Sequence, residues 1–376
     1  MDTEPDRLLM TPGPTALPPS VREAMSRQLR NPDVEPEFTD FYRTLLSKLG
    51  DAYGTDDDVL VLGGEGMLGL EAAVSSLVDP GDEVLCLANG LFGEGFADLV
   101  ETHGGVPVVH RGDPRNGFDP AAVESLVDDR EFVVATMVHC ETPTGLLNDL
   151  DGVLDVLSDA GILSIVDAVS SLGGTPVPVD RIDVCLGASQ KCFSSPPGLS
   201  TLSVSDAAWA RVRATEQDSF YASLEPWREI DLSAGDALAG EGATHAGEEA
   251  VLLPYTHLVS NLYALDASLD LLLEAGPEAV YARHEAAAER CRERGRDLGL
   301  ATFPDEGRCS PTVTAFEVDG DAAEIRRRAA AEEGVVLATG LGERADDVLR
   351  VGHMGYAADG ERVERTMDAL AAVLEG

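Results

Sequence analysis

At 376 residues and 44% hydrophobic, the chain can bury one large core and a smaller one beside it. Acidic residues outnumber basic ones 68 to 27, a net charge of −41 that no single block holds, which argues against nucleic acid or an anionic membrane as partner. Only Lys48 and Lys191 are lysines. Depleted lysine and dispersed acid together fit the salt-rich cytoplasm of a halophile, where repulsion is screened within ~3 Å at molar ionic strength.

Six cysteines form no C-x-x-C pair, and Cys86, Cys140 and Cys185 fall in or beside apolar runs, so free core thiols are expected. No signal peptide and no apolar run of about 18 residues is present, as expected of a soluble cytoplasmic protein.

Short Val/Ile/Leu-rich runs follow one another from residue 59 to 205: Val59–Leu62, Glu83–Ala88, Val106–Val109, Phe132–Val138, Ile162–Asp167, Ile182–Leu186 and Leu199–Val204. Near-continuous apolar runs of this length predict strands buried on both faces. Amphipathic segments such as Gly66–Val78, Phe92–Thr102 and Leu150–Ala160 lie between them, several opened by a cap-type residue such as Asp119 or Asp149. This is βαβ text, and it predicts an α/β fold: a mostly parallel seven-stranded sheet with helices on both sides. After Pro254 come helical stretches Leu258–Leu273 and Pro277–Leu298, strand-like Thr312–Glu317, helix Ala322–Glu333, strands Val335–Ala338 and Val348–Val351, and a last helix Glu361–Leu374. That part reads as a smaller α+β domain. The expected division is an N-terminal segment 1–16, a large domain 17–255 and a small domain 256–376 that includes a linking helix.

In open α/β sheets ligands collect at the carboxyl ends of the strands. The first strand leads into Gly63-Gly64-Glu65-Gly66-Met67, a glycine turn whose backbone N–H groups and helix dipole suit a phosphate. The second leads to Phe92, the fourth to His139-Cys140-Glu141-Thr142. The fifth ends in Asp167, and the sixth leads to Gln190 and Lys191. Anion cradle, aromatic ring, carboxylate and amine on one rim match the needs of pyridoxal 5′-phosphate. Lys191 can form the internal aldimine and then act as proton-transfer base, a role that arginine cannot take. Asp167 can keep the pyridine nitrogen protonated. Each feature alone has a plainer reading: a strand-ending Asp as turn residue, a lone Lys on the surface, Phe92 in the core. Gly64-x-Gly66-x-x-Gly69 also matches a dinucleotide fingerprint, but the next strand ends Leu87-Ala88-Asn89, without the acidic residue that a ribose needs. The combination carries the reading.

Asp167-Ala168-Val169-Ser170-Ser171-Leu172-Gly173-Gly174, Gly187-Ala188-Ser189-Gln190-Lys191 with Pro196-Pro197-Gly198, Leu9-Met10-Thr11-Pro12-Gly13-Pro14-Thr15 and Leu349-Arg350-Val351-Gly352 resemble the class V, fold-type I pyridoxal-phosphate aminotransferases, and within them the serine–pyruvate/alanine–glyoxylate group. The resemblance implies that Gly64, Glu65, Gly66 and Met67 form the phosphate loop and that Gln190 bonds the phosphate. Thr142 then approaches the ring's 3′-oxygen, and Val169 packs against the ring opposite Phe92. Arg350 and Gly13 fall on the substrate side, with Arg350 gripping its carboxylate. It further implies a homodimer with the site at the interface, Thr256 reaching the partner's phosphate, and residues 1–16 near the site mouth.

Three positions depart from the family pattern. Glu65 stands where Ser or Thr is usual; a carboxylate repels a phosphate, so its side chain is expected at a helix N-terminus or toward substrate. Phe92 replaces Trp or Tyr. Leu253 stands where a tyrosine usually precedes Thr256, while Tyr255 lies two residues later. The implied reaction moves an amino group from alanine or serine to glyoxylate or pyruvate by a ping-pong route, with small amino and 2-oxo acids as partners and no metal. Its alternatives are 2-aminoethylphosphonate–pyruvate or ureidoglycine–glyoxylate transfer and, in another class, a catalytically silent binding protein. Cysteine desulfurase is disfavoured because Val335–Gly342 holds no cysteine.

Overall fold

A computed structural model describes residues 7–33, 35–216, 219–228, 230 and 253–375. The seven apolar runs form one sheet of strands β1 (Asp58–Leu62), β2 (Glu83–Ala88), β3 (Val106–Arg111), β4 (Val134–Val138), β5 (Leu163–Asp167), β6 (Val184–Ala188) and β7 (Ser200–Val204). Their order across the sheet is β1-β7-β6-β5-β4-β2-β3. Only β7 runs against its neighbours, pairing antiparallel with β1 and β6, while the other pairs are parallel. β4, β6 and β7 are buried along their whole length, and where their residues are polar, as Thr136, Ser200, Thr201 and Ser203 are, the side chains are small enough to be enclosed.

Two boundaries differ instructively from the sequence reading. β6 starts at Val184 and runs through Gly187-Ala188, two residues beyond the expected end. Gly187 does not break the strand because neighbours crowd it: a Cβ there would lie 2.6 Å from Thr201 Oγ1 and 2.8 Å from Tyr53 Oη. The stretch expected as one strand, Val335–Ala338, is two. Val335–Val336 pairs in parallel with Leu8–Leu9, and Ala338–Thr339 pairs with Val348–Gly352 in another sheet, so the chain changes partners at Leu337.

Helices α1 (Pro36–Tyr53), α2 (Gly66–Leu77) and α3 (Leu91–Thr102) pack around the large sheet, joined by α4 (Val259–Ala275), whose Leu262, Tyr263, Leu265 and Leu269 enter the same core. Lys48 on α1 reaches α4, with Nζ 2.6 Å from Asp266 and 2.6 Å from Asp270. A second core lies between α5 (Pro277–Asp297), α6 (Gly360–Glu375) and the antiparallel strands β8 (Val313–Glu317), β9 (Ala338–Thr339) and β10 (Val348–Gly352). Val363, Met367 and Leu370 recur at helical spacing on α6 and supply its apolar stripe. Leu8 and Met10 of the N-terminal segment belong to this second core, and the chain then crosses to Lys191. No described helix is long and apolar enough to cross a membrane. All six cysteines are free, five of them buried.

Candidate active site

The carboxyl ends of β1, β2, β4, β5 and β6 open onto a cavity of about 370 Å³. Gly13, Glu65, Gly66, Met67, Phe92, Thr142, Asp167, Val169, Gln190 and Lys191 line it, together with Pro14, Leu70, Ser170 and Pro197. The backbone of β5 ends by delivering Asp167 into this space, 5% exposed, where Oδ1 accepts a 2.8 Å bond from the Val169 N–H. Burial raises its pKa to about 6, against the opposing pull of the Val169 bond and the Lys191 charge.

Lys191 follows β6 by three residues. Its Nζ donates to the Pro12 carbonyl at 2.7 Å, and its pKa is lowered, chiefly by burial and next by Arg350, with Asp167 pulling the other way. The N-terminal segment is threaded against it. Thr15 N–H donates to the Gln190 carbonyl at 3.1 Å, and Thr15 Oγ1 to the Lys191 carbonyl at 3.1 Å. Gly13 sits at φ +110°, and a Cβ there would lie 2.5 Å from Lys191 Cδ and 2.7 Å from Nζ. Glycine is required at that crossing. Residues 12–15 thus pass against Lys191, while Leu8 and Met10 belong to the second core; residues 1–6 fall outside the described residues.

Arg350, on β10, is 7% exposed and donates to carbonyls only, Nε to Thr339 at 2.6 Å and Nη1 to Thr142 at 3.3 Å. Burial lowers its pKa to about 10. It stands behind Thr142 rather than on the cavity wall, a buried cation bonded to carbonyls and to no carboxylate among the described residues. Thr142 Oγ1 in turn hydrogen-bonds Ser170 Oγ.

Glu65 is the N-cap of α2, its Oε1 accepting from the Met67 N–H at 3.1 Å. Of the two expected places for this side chain, it takes the helix N-terminus. Gly64 is not on the cavity wall, and Thr256 lines a separate cavity with Asn31, His257 and Asn261, away from its own chain's site. Tyr255 instead packs inward, its Oη accepting from the Gly63 N–H at 2.8 Å.

The sequence reading missed Glu141. It is wholly buried, and its carboxylate accepts from the N–H groups of Gly93 at 2.7 Å and Phe92 at 3.3 Å, capping α3 and fixing where Phe92 stands. Burial raises its pKa to about 7, against those two bonds. Gly90, which has no room for a Cβ beside Glu141 (2.5 Å from Cδ), was the available signal.

The family model for class V aminotransferases matches residues 7–353. The chain belongs to that family. It is similar to pyridoxamine–pyruvate transaminase of Mesorhizobium japonicum, 35% identical over 357 residues and covering 93% of this chain and 87% of the relative. Alanine–glyoxylate aminotransferase of Oryctolagus cuniculus is 32% identical, with 99% and 93% covered. The crystal structure of ureidoglycine–glyoxylate aminotransferase from Bacillus subtilis superposes with a TM-score of 0.90 at 28% identity, covering 99% of this chain and 94% of that one. The architecture is that of fold-type I pyridoxal-phosphate enzymes, and the chain is a transaminase of this pyridoxal 5′-phosphate-dependent family.

The ring half of that cofactor fits the cavity. A buried carboxylate, a half-buried amine and the apolar walls Phe92 and Val169 surround a space of suitable size. The phosphate half fits less well. The Met67 N–H is held by the Glu65 carboxylate and the Gly63 N–H by the Tyr255 phenol, so two of the turn's donors already have side-chain partners within the chain.

Proposed function

We propose that this transaminase interconverts a small amino acid, alanine or serine, and its 2-oxo acid, passing the amino group on by a ping-pong route with glyoxylate or pyruvate as acceptor. Lys191 and Asp167 on one cavity wall, with the Arg350 guanidinium bonded to the carbonyl of wall residue Thr142 and its charge acting on Lys191, carry this reading. The three relatives named above pair different amino donors with pyruvate or glyoxylate, so the short 2-oxo acid is their common element.

Each residue has a distinct task. Arg350 receives the substrate carboxylate, for which a buried guanidinium bonded only to carbonyls is a ready partner. Asp167 accepts a hydrogen bond from a protonated ring nitrogen, and Val169 N–H keeps the carboxylate aimed. The bound ring supplies an electron sink for the substrate's Cα–H electrons. Lys191 takes the Cα proton and returns it to the ring's exocyclic carbon; its lowered pKa leaves more of the amine neutral and able to accept. Thr142 would serve the ring's 3′-oxygen, Gly66, Met67 and Gln190 would hold its far end, and Thr256 would do so from a second subunit.

A homodimer in a salt-rich cytoplasm belongs to the same proposal. Apolar Met67, Leu91, Phe220, Tyr221 and Leu258 are all more than 40% exposed in the single chain, which supports a partner covering them. Large domain 17–255 and small domain 256–376 would then close around the site. Transfer from 2-aminoethylphosphonate or ureidoglycine is the alternative.

The test is a half-reaction screen in high salt. Alanine added to ring-loaded enzyme should bleach the chromophore and glyoxylate or pyruvate should restore it. Lys191→Ala should lower turnover by about 10³-fold or more while still binding the ring. Colour that only aminoethylphosphonate bleaches would favour that alternative. Absence of any half-reaction would leave the binding-protein reading.

A further inference from the structure

The far end of the cavity, where the ring's 5′-substituent would point, is lined by a carboxylate and an amide, Glu65 and Gln190. Glu65 caps α2 with a carboxylate, and it is an unusual cap, since short Ser, Thr, Asp and Asn side chains are the preferred ones. Its bond to the Met67 N–H satisfies a donor that a phosphate would otherwise use. Beside it, the Gln190 side chain is 93% buried on the same cavity wall, and its Oε1 has no hydrogen-bond partner among the described residues. That unpartnered amide independently marks a place for a ligand group. Turned either way, an amide can bond a hydroxyl, which both donates and accepts; a phosphate dianion only accepts and would also face the Glu65 carboxylate.

We propose that this site takes the ring without its phosphate: pyridoxamine as an exchangeable amino donor, released as pyridoxal, with the Glu65 carboxylate and the Gln190 amide holding the 5′-hydroxyl. The inference rests on amino transfer at Lys191 and Asp167 and specifies the donor. The reaction balances without an outside oxidant. The C–N bond at the exocyclic carbon of pyridoxamine breaks, and that carbon is oxidised by two electrons to the aldehyde. A C–N bond forms at C2 of pyruvate, which is reduced by two electrons to alanine. Oxygen passes from pyruvate to pyridoxal by way of water, and the protons lost at one carbon are regained at the other. Lys191 carries the proton between them.

Binding and turnover are measured separately, on the full chain in phosphate-free high-salt buffer. Pyridoxal and pyridoxal 5′-phosphate are titrated by absorbance, each followed by gel filtration. Pyridoxal should bind about tenfold or more tightly than its phosphate, and the phosphate should be lost on the column. Glu65→Ser keeps a good helix cap and should reverse the preference; Glu65→Gln, which removes only the charge, should narrow it. Pyridoxamine and pyruvate should yield pyridoxal and alanine in equal amounts over many turnovers per site. Tighter binding of the phosphate by the wild type, with Glu65→Ser leaving the ratio unchanged, would overturn the inference. If the phosphate-loaded enzyme then still moves amino groups from alanine to glyoxylate, the proposed function stands without it. If neither ring form supports transfer to pyruvate, that function falls as well, whatever the binding ratio.

Discussion

Asp167 is a carboxylate that the fold keeps from water before any ligand arrives. Its single backbone bond and the Lys191 charge do not offset burial, so its pKa rises from 3.8 to about 6. A raised acid binds its proton more tightly folded than unfolded. As pH rises through 3.8 the unfolded chain releases that proton first, so stability declines until about pH 6 and stays reduced above it. Asparagine carries no such proton. Ligand-free Asp167→Asn should therefore gain stability over wild type by about 2–3 kcal/mol between pH 3.8 and 7, while its transaminase turnover drops by about 10²-fold or more. Urea unfolding in high salt at acid and neutral pH, paired with an alanine assay, reads both. A variant whose advantage over wild type does not grow from acid to neutral pH would show that the Asp167 charge is better solvated than its burial implies. Stability given up here leaves the carboxylate with its second oxygen free for the ring nitrogen.

At the scale of elements, the helix starts around the cavity are capped by carboxylates: Glu65 on α2 and Glu141 on α3. The second holds Phe92, one wall of the site, and it does so from a different strand-to-helix crossing. Glu141→Ala would strip the partner from two buried N–H groups and should destabilise the protein by about 2–4 kcal/mol. Glu141→Gln, which can still accept, should cost less. In both, ring affinity should fall further than stability alone accounts for, because Phe92 loses its anchor. Thermal unfolding with and without ring ligand separates the two effects; equal losses in both states would mean that Glu141 only holds the fold. The inner strands were legible in sequence because burial on both sheet faces leaves largely apolar text, whereas β3, a half-exposed edge strand, showed only as the short run Val106–Val109. Asp167 and Lys191 were legible because strand ends define the rim. Glu141 was not, since a glutamate between Cys140 and Thr142 reads as an exposed loop residue until Gly90 and Gly93 are seen to close on it. The division at Leu337 was hidden for a related reason: parallel pairing with Leu8–Leu9 joins segments more than three hundred residues apart and leaves no local punctuation. Arg350 was readable only through family resemblance, and Thr256 lies away from its own chain's cavity, so the role proposed for it would need a second subunit.

Across the whole molecule, a charge of −41 opposes the compact state through self-repulsion that no single ion pair relieves. Pairs such as Arg181 with Asp151 and Asp155, or Arg294 with Glu364 and Asp368, use the few cations, but most acidic side chains outnumber any partner. Exposed pairs of this kind contribute about 0–1 kcal/mol each and weaken in salt, whereas the net repulsion weakens too and is the larger quantity. The balance should favour salt. Screening shortens from about 10 Å at ~0.1 M to ~3 Å at ~1 M, less than the spacing of neighbouring surface carboxylates. The midpoint of thermal unfolding should thus rise steadily with potassium chloride over that range and beyond. Sedimentation should move from monomer toward dimer over the same range, because joining two polyanions carries the same penalty. Glucose or another neutral solute at matched osmolality should not reproduce the dimer shift. If the midpoint is flat or falls with salt, the acidic surface must serve a partner instead, and the apolar residues around the cavity mouth would be where to look for it.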